Sequence, residues 1–119
     1  MTQITNHKYY DLEERTFLFA VRVKNFIKVL PKNMVNFEIT KQLMRSAGSI
    51  GANYIEANES LSKKDFVMRT KICKKETKET RYWLRLLDCP IKNCKEKETL
   101  IQESIEFAKI FGSILEKCK

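Results

Sequence analysis

Residues 63–85 carry nine lysines and arginines against three carboxylates, and this imbalance is the clearest chemical signal in the sequence. The stretch nets +6 of the chain's +8, so one segment holds most of the excess charge. Wound as an α-helix, it brings Lys64, Lys71, Lys75, Lys78 and Arg85 within roughly 80° of arc, with Lys74 and Arg81 beside them. Tyr82 falls inside the same stripe and offers a ring for stacking on a base or sugar. Like charges at i, i+4 spacing destabilise a helix by a few tenths of a kcal/mol per pair, so folding gains nothing from this row. An anionic partner does: phosphates on such a row release counterions, and retention falls steeply with salt. A row of cations touches backbone without reading sequence, so the expected ligand is RNA or DNA held nonspecifically. The plainer reading is a solvated lysine face that maintains solubility.

A second set of polar residues falls on apolar faces. Arg69 and Glu76 lie toward the buried side of the same helix, with Asp65 at its edge, and Glu79 lies on one flank of the stripe. Asn53 and Glu56 flank the core face of the preceding helix. Charges so placed need partners or a subunit interface. The spacing favours ion pairs that fix helix register or a subunit contact. A di-metal carboxylate centre needs Glu-x-x-His pairs, and the one histidine, His7, stands in the N-terminal leader. Cys89-Pro-Ile-Lys-Asn-Cys94 resembles half of a metal knuckle, but Cys73 and Cys118 do not form a second close pair. No nucleophile–histidine–acid set and no Gly-x-x-x-x-Gly-Lys phosphate loop can be assembled. The sequence therefore predicts a protein that is not an enzyme, with no cofactor and no metal.

Four amphipathic helices must position these residues. The first is expected over residues 12–30, capped by Asp11, with Leu12, Phe19, Val23, Phe26, Ile27 and Leu30 on one face. The second is expected over 36–61, where Ile39, Leu43, Ala47, Ile50, Tyr54, Ala57 and Leu61 step by three or four. Met44, Gly48, Gly51 and Ile55 form its second apolar face, and its two glycines suggest close approach of another helix. The third is expected over 63–88, with Ser62 and Asp65 as a capping box. Its buried side is marked by Phe66, Ile72, Cys73, Thr80, Trp83, Leu84 and Leu87. The fourth is expected over 95–117, with Ile101, Ile105, Ala108, Phe111 and Leu115 as its core face and Leu100, Phe107 and Ile114 flanking. Short connections between rods of similar length favour antiparallel neighbours, hence an all-α, up-down-up-down four-helix bundle.

The totals agree. A chain of 119 residues makes one domain, expected over 1–119 with residues 1–10 as a leader. Three glycines and two prolines are too few for a turn-rich β fold. No apolar run approaches the ~18 residues of a membrane span, and the first ten residues have no signal-peptide core. The expected location is cytoplasmic, with the four cysteines reduced.

The segment Gln42-Leu-Met-Arg-Ser-Ala-Gly-Ser-Ile-Gly-Ala-Asn-Tyr-Ile-Glu56 resembles the signature of the four helix bundle family also called 23S rRNA intervening sequence proteins. That signature reads approximately Gln-Leu-Arg-Arg-Ala-Ala-x-Ser-Ile-x-x-Asn-Ile-Ala-Glu-Gly. Ser62-Lys-Lys-Asp-Phe66 and Glu76-Thr-Lys-Glu-Thr-Arg-Tyr-Trp-Leu-Arg-Leu-Leu87 are similar to the family's third helix. The chain departs from the pattern at Ala57 and Asn58, where the family often has Gly, and at Gly51, where it often has Pro. The resemblance implies a left-handed bundle that assembles as a homopentameric ring. It also implies an association with nucleic acid, since members occur as reading frames within intervening sequences of bacterial large-subunit rRNA genes. No catalytic role travels with Asn53, Glu56, Glu76 or Glu79. A protein-interaction scaffold without nucleic-acid contact stands as the alternative function.

Overall fold

A computed structural model describes the backbone of residues 2–119 and the side chains from residue 11 onward. Four α-helices follow one another: α1 (Thr2–Lys28), α2 (Met34–Asn58), α3 (Lys63–Leu86) and α4 (Cys94–Lys117). A short 3₁₀ turn, Ile91–Asn93, leads into α4.

Contacts between neighbours fix the direction of each rod. Glu13 and Thr16 of α1 meet Asn58 and Gly51 of α2. Arg45 and Asn53 of α2 meet Glu76 and Arg69 of α3. Lys74 of α3 lies beside Gly112 of α4, while Arg15 and Arg22 of α1 reach Glu103 and Glu96 of α4. Lys97 of α4 also donates to the Leu87 carbonyl at the end of α3 at 2.8 Å. In every pair residue numbers rise on one helix as they fall on the other, so all four neighbours are antiparallel. The result is the expected all-α, up-down four-helix bundle.

Local chemistry explains the boundaries. The Asn33 side chain accepts from the Asn36 backbone N–H at 2.8 Å and starts α2. Ser62 accepts from the Asp65 N–H at 3.1 Å and starts α3, the capping contact its sequence predicts. Two expectations fail at helix ends. α1 begins at Thr2 instead of Leu12, so Asp11 is an interior residue and not a cap. The side chains of the expected leader, His7 included, lie outside the described residues. α2 ends at Asn58, so Leu61 falls in the connection and is 99% exposed instead of core.

Inside, Leu12, Phe19, Val23, Phe26, Leu43, Ile50, Tyr54, Leu84, Leu100, Phe107 and Phe111 make one continuous core. Phe19 and Phe107 meet edge to face at 5.4 Å, joining α1 to α4 across the centre. On α4 the buried face is Leu100, Ser104, Phe107 and Phe111. The expected face (Ile101, Ile105, Ala108, Leu115) is only half-buried, Phe111 excepted. The helix is apolar over a wider arc than it buries, and the serine at the centre hides the true middle. Ser104 satisfies itself by donating to the Ile101 carbonyl at 2.6 Å.

The two interior glycines of α2 differ. A Cβ on Gly51 would sit 3.0 Å from Thr16 Oγ1, which is the close helix approach expected there. A Cβ on Gly48 would meet nothing within 4 Å, so its side of the helix is open.

Candidate nucleic-acid interface

The cations of α3 stand where the helical projection puts them. Lys64, Lys71, Lys75, Lys78, Arg81 and Arg85 are exposed, Lys74 is half-buried, and Tyr82 is 56% exposed. Tyr82 packs edge to face on Trp83, which holds its ring at the surface of the stripe. Among the described residues, no carboxylate lies within 4.0 Å of Lys64, Lys71, Lys74, Lys78, Arg81 or Arg85; Lys75 alone of the stripe has one, Glu76, at 3.7 Å.

Three of the polar residues expected toward the buried side, Glu76, Arg69 and Asn53, make contacts between α2 and α3. Glu76 is 6% exposed and receives Arg45 Nη1 of α2 at 3.3 Å. The same guanidinium donates through Nη2 to Glu79. The indole of Trp83 donates to Glu79 at 3.2 Å, and that bond, with Arg45, holds the Glu79 carboxyl below its usual pKa. Arg69 donates to Asn53 Oδ1 at 3.2 Å, and Asn53 donates in turn to the Ser49 carbonyl. Glu56 and Asp65 remain exposed. Of the two polar residues flanking the core face of α2, Asn53 supplies a partner to α3 and Glu56 does not; Arg45 is the partner of Glu76.

Arg45 was not among the residues the apolar pattern singles out. Its signal was present: a long cation inside the family-like segment, facing a helix with two carboxylates three residues apart. The same holds for Arg15, which grips Glu103 with two bonds of 3.0 and 2.9 Å, donates to Glu106 at 2.7 Å, and lies 5.0 Å over the Phe107 ring. The bonds to Glu103 raise the Arg15 pKa further above its ordinary value. Threonines also enter the core, where apolar periodicity does not mark them. Thr70 and Thr77 line the core side of α3 and donate to the carbonyls four residues earlier, at 2.8 and 2.7 Å.

No group of three or more His, Cys, Asp or Glu able to hold a metal occurs among the described residues. Burial pushes the Cys73 thiol up to about 12, which keeps it protonated and unreactive. No helix among the described residues is long and apolar enough to cross a membrane.

These features define an up-down four-helix bundle with a cation-rich third helix. The sequence profile described as 23S rRNA-intervening sequence protein matches residues 8–113. The chain belongs to that family. It is also similar to a crystal structure of a protein of unknown function from the S23 ribosomal protein family of Bacteroides thetaiotaomicron VPI-5482. That likeness has 36% identity and a TM-score of 0.75, and covers 87% of this chain and 96% of the other. No curated protein matches the sequence.

Proposed function

We propose that this protein is a non-enzymatic, oligomeric scaffold that binds the backbone of RNA or DNA through the third helix. The observation that carries the reading is the row of exposed cations left without carboxylate partners. Protein charges that serve only folding or solubility are commonly interspersed with the opposite sign. Here two carboxylates of α3, Glu76 and Glu79, go to Arg45 and Lys75 at the edge, and the crest stays bare among the described residues.

Self-association is part of the proposal, as the homopentameric ring that the family resemblance implies. Its support is apolar surface on α1 and α2: Phe17, Val35, Phe37 and Ile55 are about half exposed or more. The open side of Gly48 leaves room for close approach of another helix. A ring would multiply the stripe and raise avidity.

The test is retention of labelled RNA and DNA in a low-salt gel shift. Lys71→Glu, Lys78→Glu and Arg85→Glu together should abolish retention while helicity survives. Retention unchanged by this triple reversal removes the proposal. Sedimentation with and without RNA measures the assembly. The same exposed apolar side chains favour a second reading, a protein-interaction scaffold. Partners that survive nuclease treatment in a pull-down would favour it over the first.

A further inference from the structure

The stripe has two flanks, and they are electrostatically unlike. On the α2 side stand Glu76 and Glu79, tied to Arg45. A phosphate approaching there meets two carboxylates. On the α4 side the surface forms a groove of about 380 Å³, with Lys74, Lys78 and Arg81 on the α3 wall and Lys109 on the α4 wall. No acidic side chain lines it. The carboxylates of α4 that make ion pairs with another helix, Glu96, Glu103 and Glu106, all face α1, where Arg22 and Arg15 hold them. Of the α2–α3, α1–α4 and α3–α4 seams, only α3–α4 is left without a cross-helix ion pair among the described residues.

The floor of the groove is small. Thr77, Ser104, Ala108 and Gly112 keep it low. Gly112 matters most: the space where its Cβ would stand is approached only by the end of Lys74, with Nζ at 3.6 Å and Cε at 3.9 Å. Lys74 therefore lies along the groove, half-buried, instead of extending into solvent. Four cations from two helices converge on a channel with no counter-charge of its own. Such an arrangement lowers the energy of an anion seated in it and does nothing for the bundle by itself.

We infer that the groove between α3 and α4 is the phosphate seat of this protein, and that Lys109, outside the stripe, is one of its binding residues. The inference rests on the nucleic-acid reading above and deepens it: the backbone runs along the α4 side of α3, not centrally over it. Lys75, drawn toward Glu76 at 3.7 Å, stands outside the track.

The experiment uses the full chain and fluorescence anisotropy with a labelled single-stranded RNA, titrated at several salt concentrations. Lys109→Ala should weaken binding by roughly fivefold to tenfold near ~50 mM salt and make the salt slope shallower by about one. Lys75→Ala should stay within about twofold, with the slope unchanged. Gly112→Glu places a carboxylate against Lys74 and should weaken binding by roughly tenfold. Its thermal midpoint should hold or rise, because the site accepts a Cβ and glycine is a poor helix former. If Lys75→Ala costs as much as Lys109→Ala, or if Gly112→Glu binds normally, the seat is elsewhere and the groove assignment falls. In that case the loss of binding in the Lys71, Lys78 and Arg85 triple reversal would still uphold the wider reading. If the unaltered protein retains no RNA or DNA, both fall together.

Discussion

Arg45 offers the sharpest test of how the third helix is held. It spans two carboxylates of unlike exposure: the Glu76 side chain is 8% exposed and that of Glu79 is 33% exposed. Replacing it by Met keeps most of the stem and removes the charge. The Glu79 limb is near the surface, with the Arg45 side chain itself 47% exposed, so its loss costs about 0.5 kcal/mol. The Glu76 limb is different, because a nearly buried carboxylate loses a charge-assisted bond, a cost of about 1.5 kcal/mol. A fully stranded buried charge would cost about 3–5 kcal/mol, but Lys75 remains 3.7 Å away and open to water. The total is about 2 kcal/mol. For a chain of 119 residues, with an unfolding entropy of about 2.1 cal/mol/K per residue, that lowers the melting midpoint by about 8 °C. The assay is thermal or urea unfolding followed by helicity and by Trp83, the single tryptophan, whose indole is bonded to Glu79. Glu76→Gln made in the Arg45→Met background should recover more than half the loss, since no stranded charge remains. The reasoning is refuted if Arg45→Met costs under about 0.5 kcal/mol, or if the two substitutions add within about 0.3 kcal/mol.

Three further outcomes are expected. Leu43→Ala removes a fully buried side chain at the centre of α2 and should cost about 2–5 kcal/mol in urea unfolding; a value under about 0.5 would misplace that face. Glu79 has a folded pKa below its ordinary 4.5, so its stabilising share is complete above that value and fades as pH falls through the lowered one. Glu79→Gln should accordingly flatten the acid limb of a melting-versus-pH series, and an unaltered limb would contradict the Trp83 and Arg45 contacts. Thiol labelling of the native protein should modify exposed Cys94 first and buried Cys73 only on unfolding; early modification of Cys73, followed by mass spectrometry, would show that the core is open.

Helical periodicity revealed the rods and most of the wall each one buries, because on α1 and α2 the steps of three or four between apolar side chains coincide with the buried face. It missed where that rule loses contrast. On α4 the apolar residues wrap too far round, and spacing alone could not choose which of them turn inward. At Leu61 the step of three or four continued past the true end of α2, since periodicity contains no information about where the backbone leaves the helix. The stripe was legible because lysines need nothing but solvent to occupy the places that projection gives them. The long-range contacts were not: Arg45, Arg15 and Lys109 matter through residues 31 to 91 positions away or through a shared groove, and no local spacing encodes that.

The construction of α3 explains how one helix can carry so much charge and still belong to a core. Its inward face is built from Thr70, Cys73, Thr77 and Thr80, with Leu84 the only large aliphatic among its buried residues. Each threonine hydroxyl lies within hydrogen-bonding distance of the carbonyl four residues earlier, so burial leaves no donor stranded. Thr80 also lies 2.9 Å from Ser46 Oγ, and the Cys73 thiol reaches the Ile50 carbonyl at 3.5 Å, both on α2. Short side chains at this seam draw the two backbones together. Close packing against α2 then replaces the broad apolar stripe that most bundle helices need. The outer arc is thereby released from any duty to the core. Repulsion along the pairs Lys71/Lys75, Lys74/Lys78 and Arg81/Arg85 costs on the order of 1 kcal/mol, which that seam can absorb. A helix anchored in this way keeps its cations uncovered and fixed in register, and those are the two conditions under which a phosphate backbone would find them already in place.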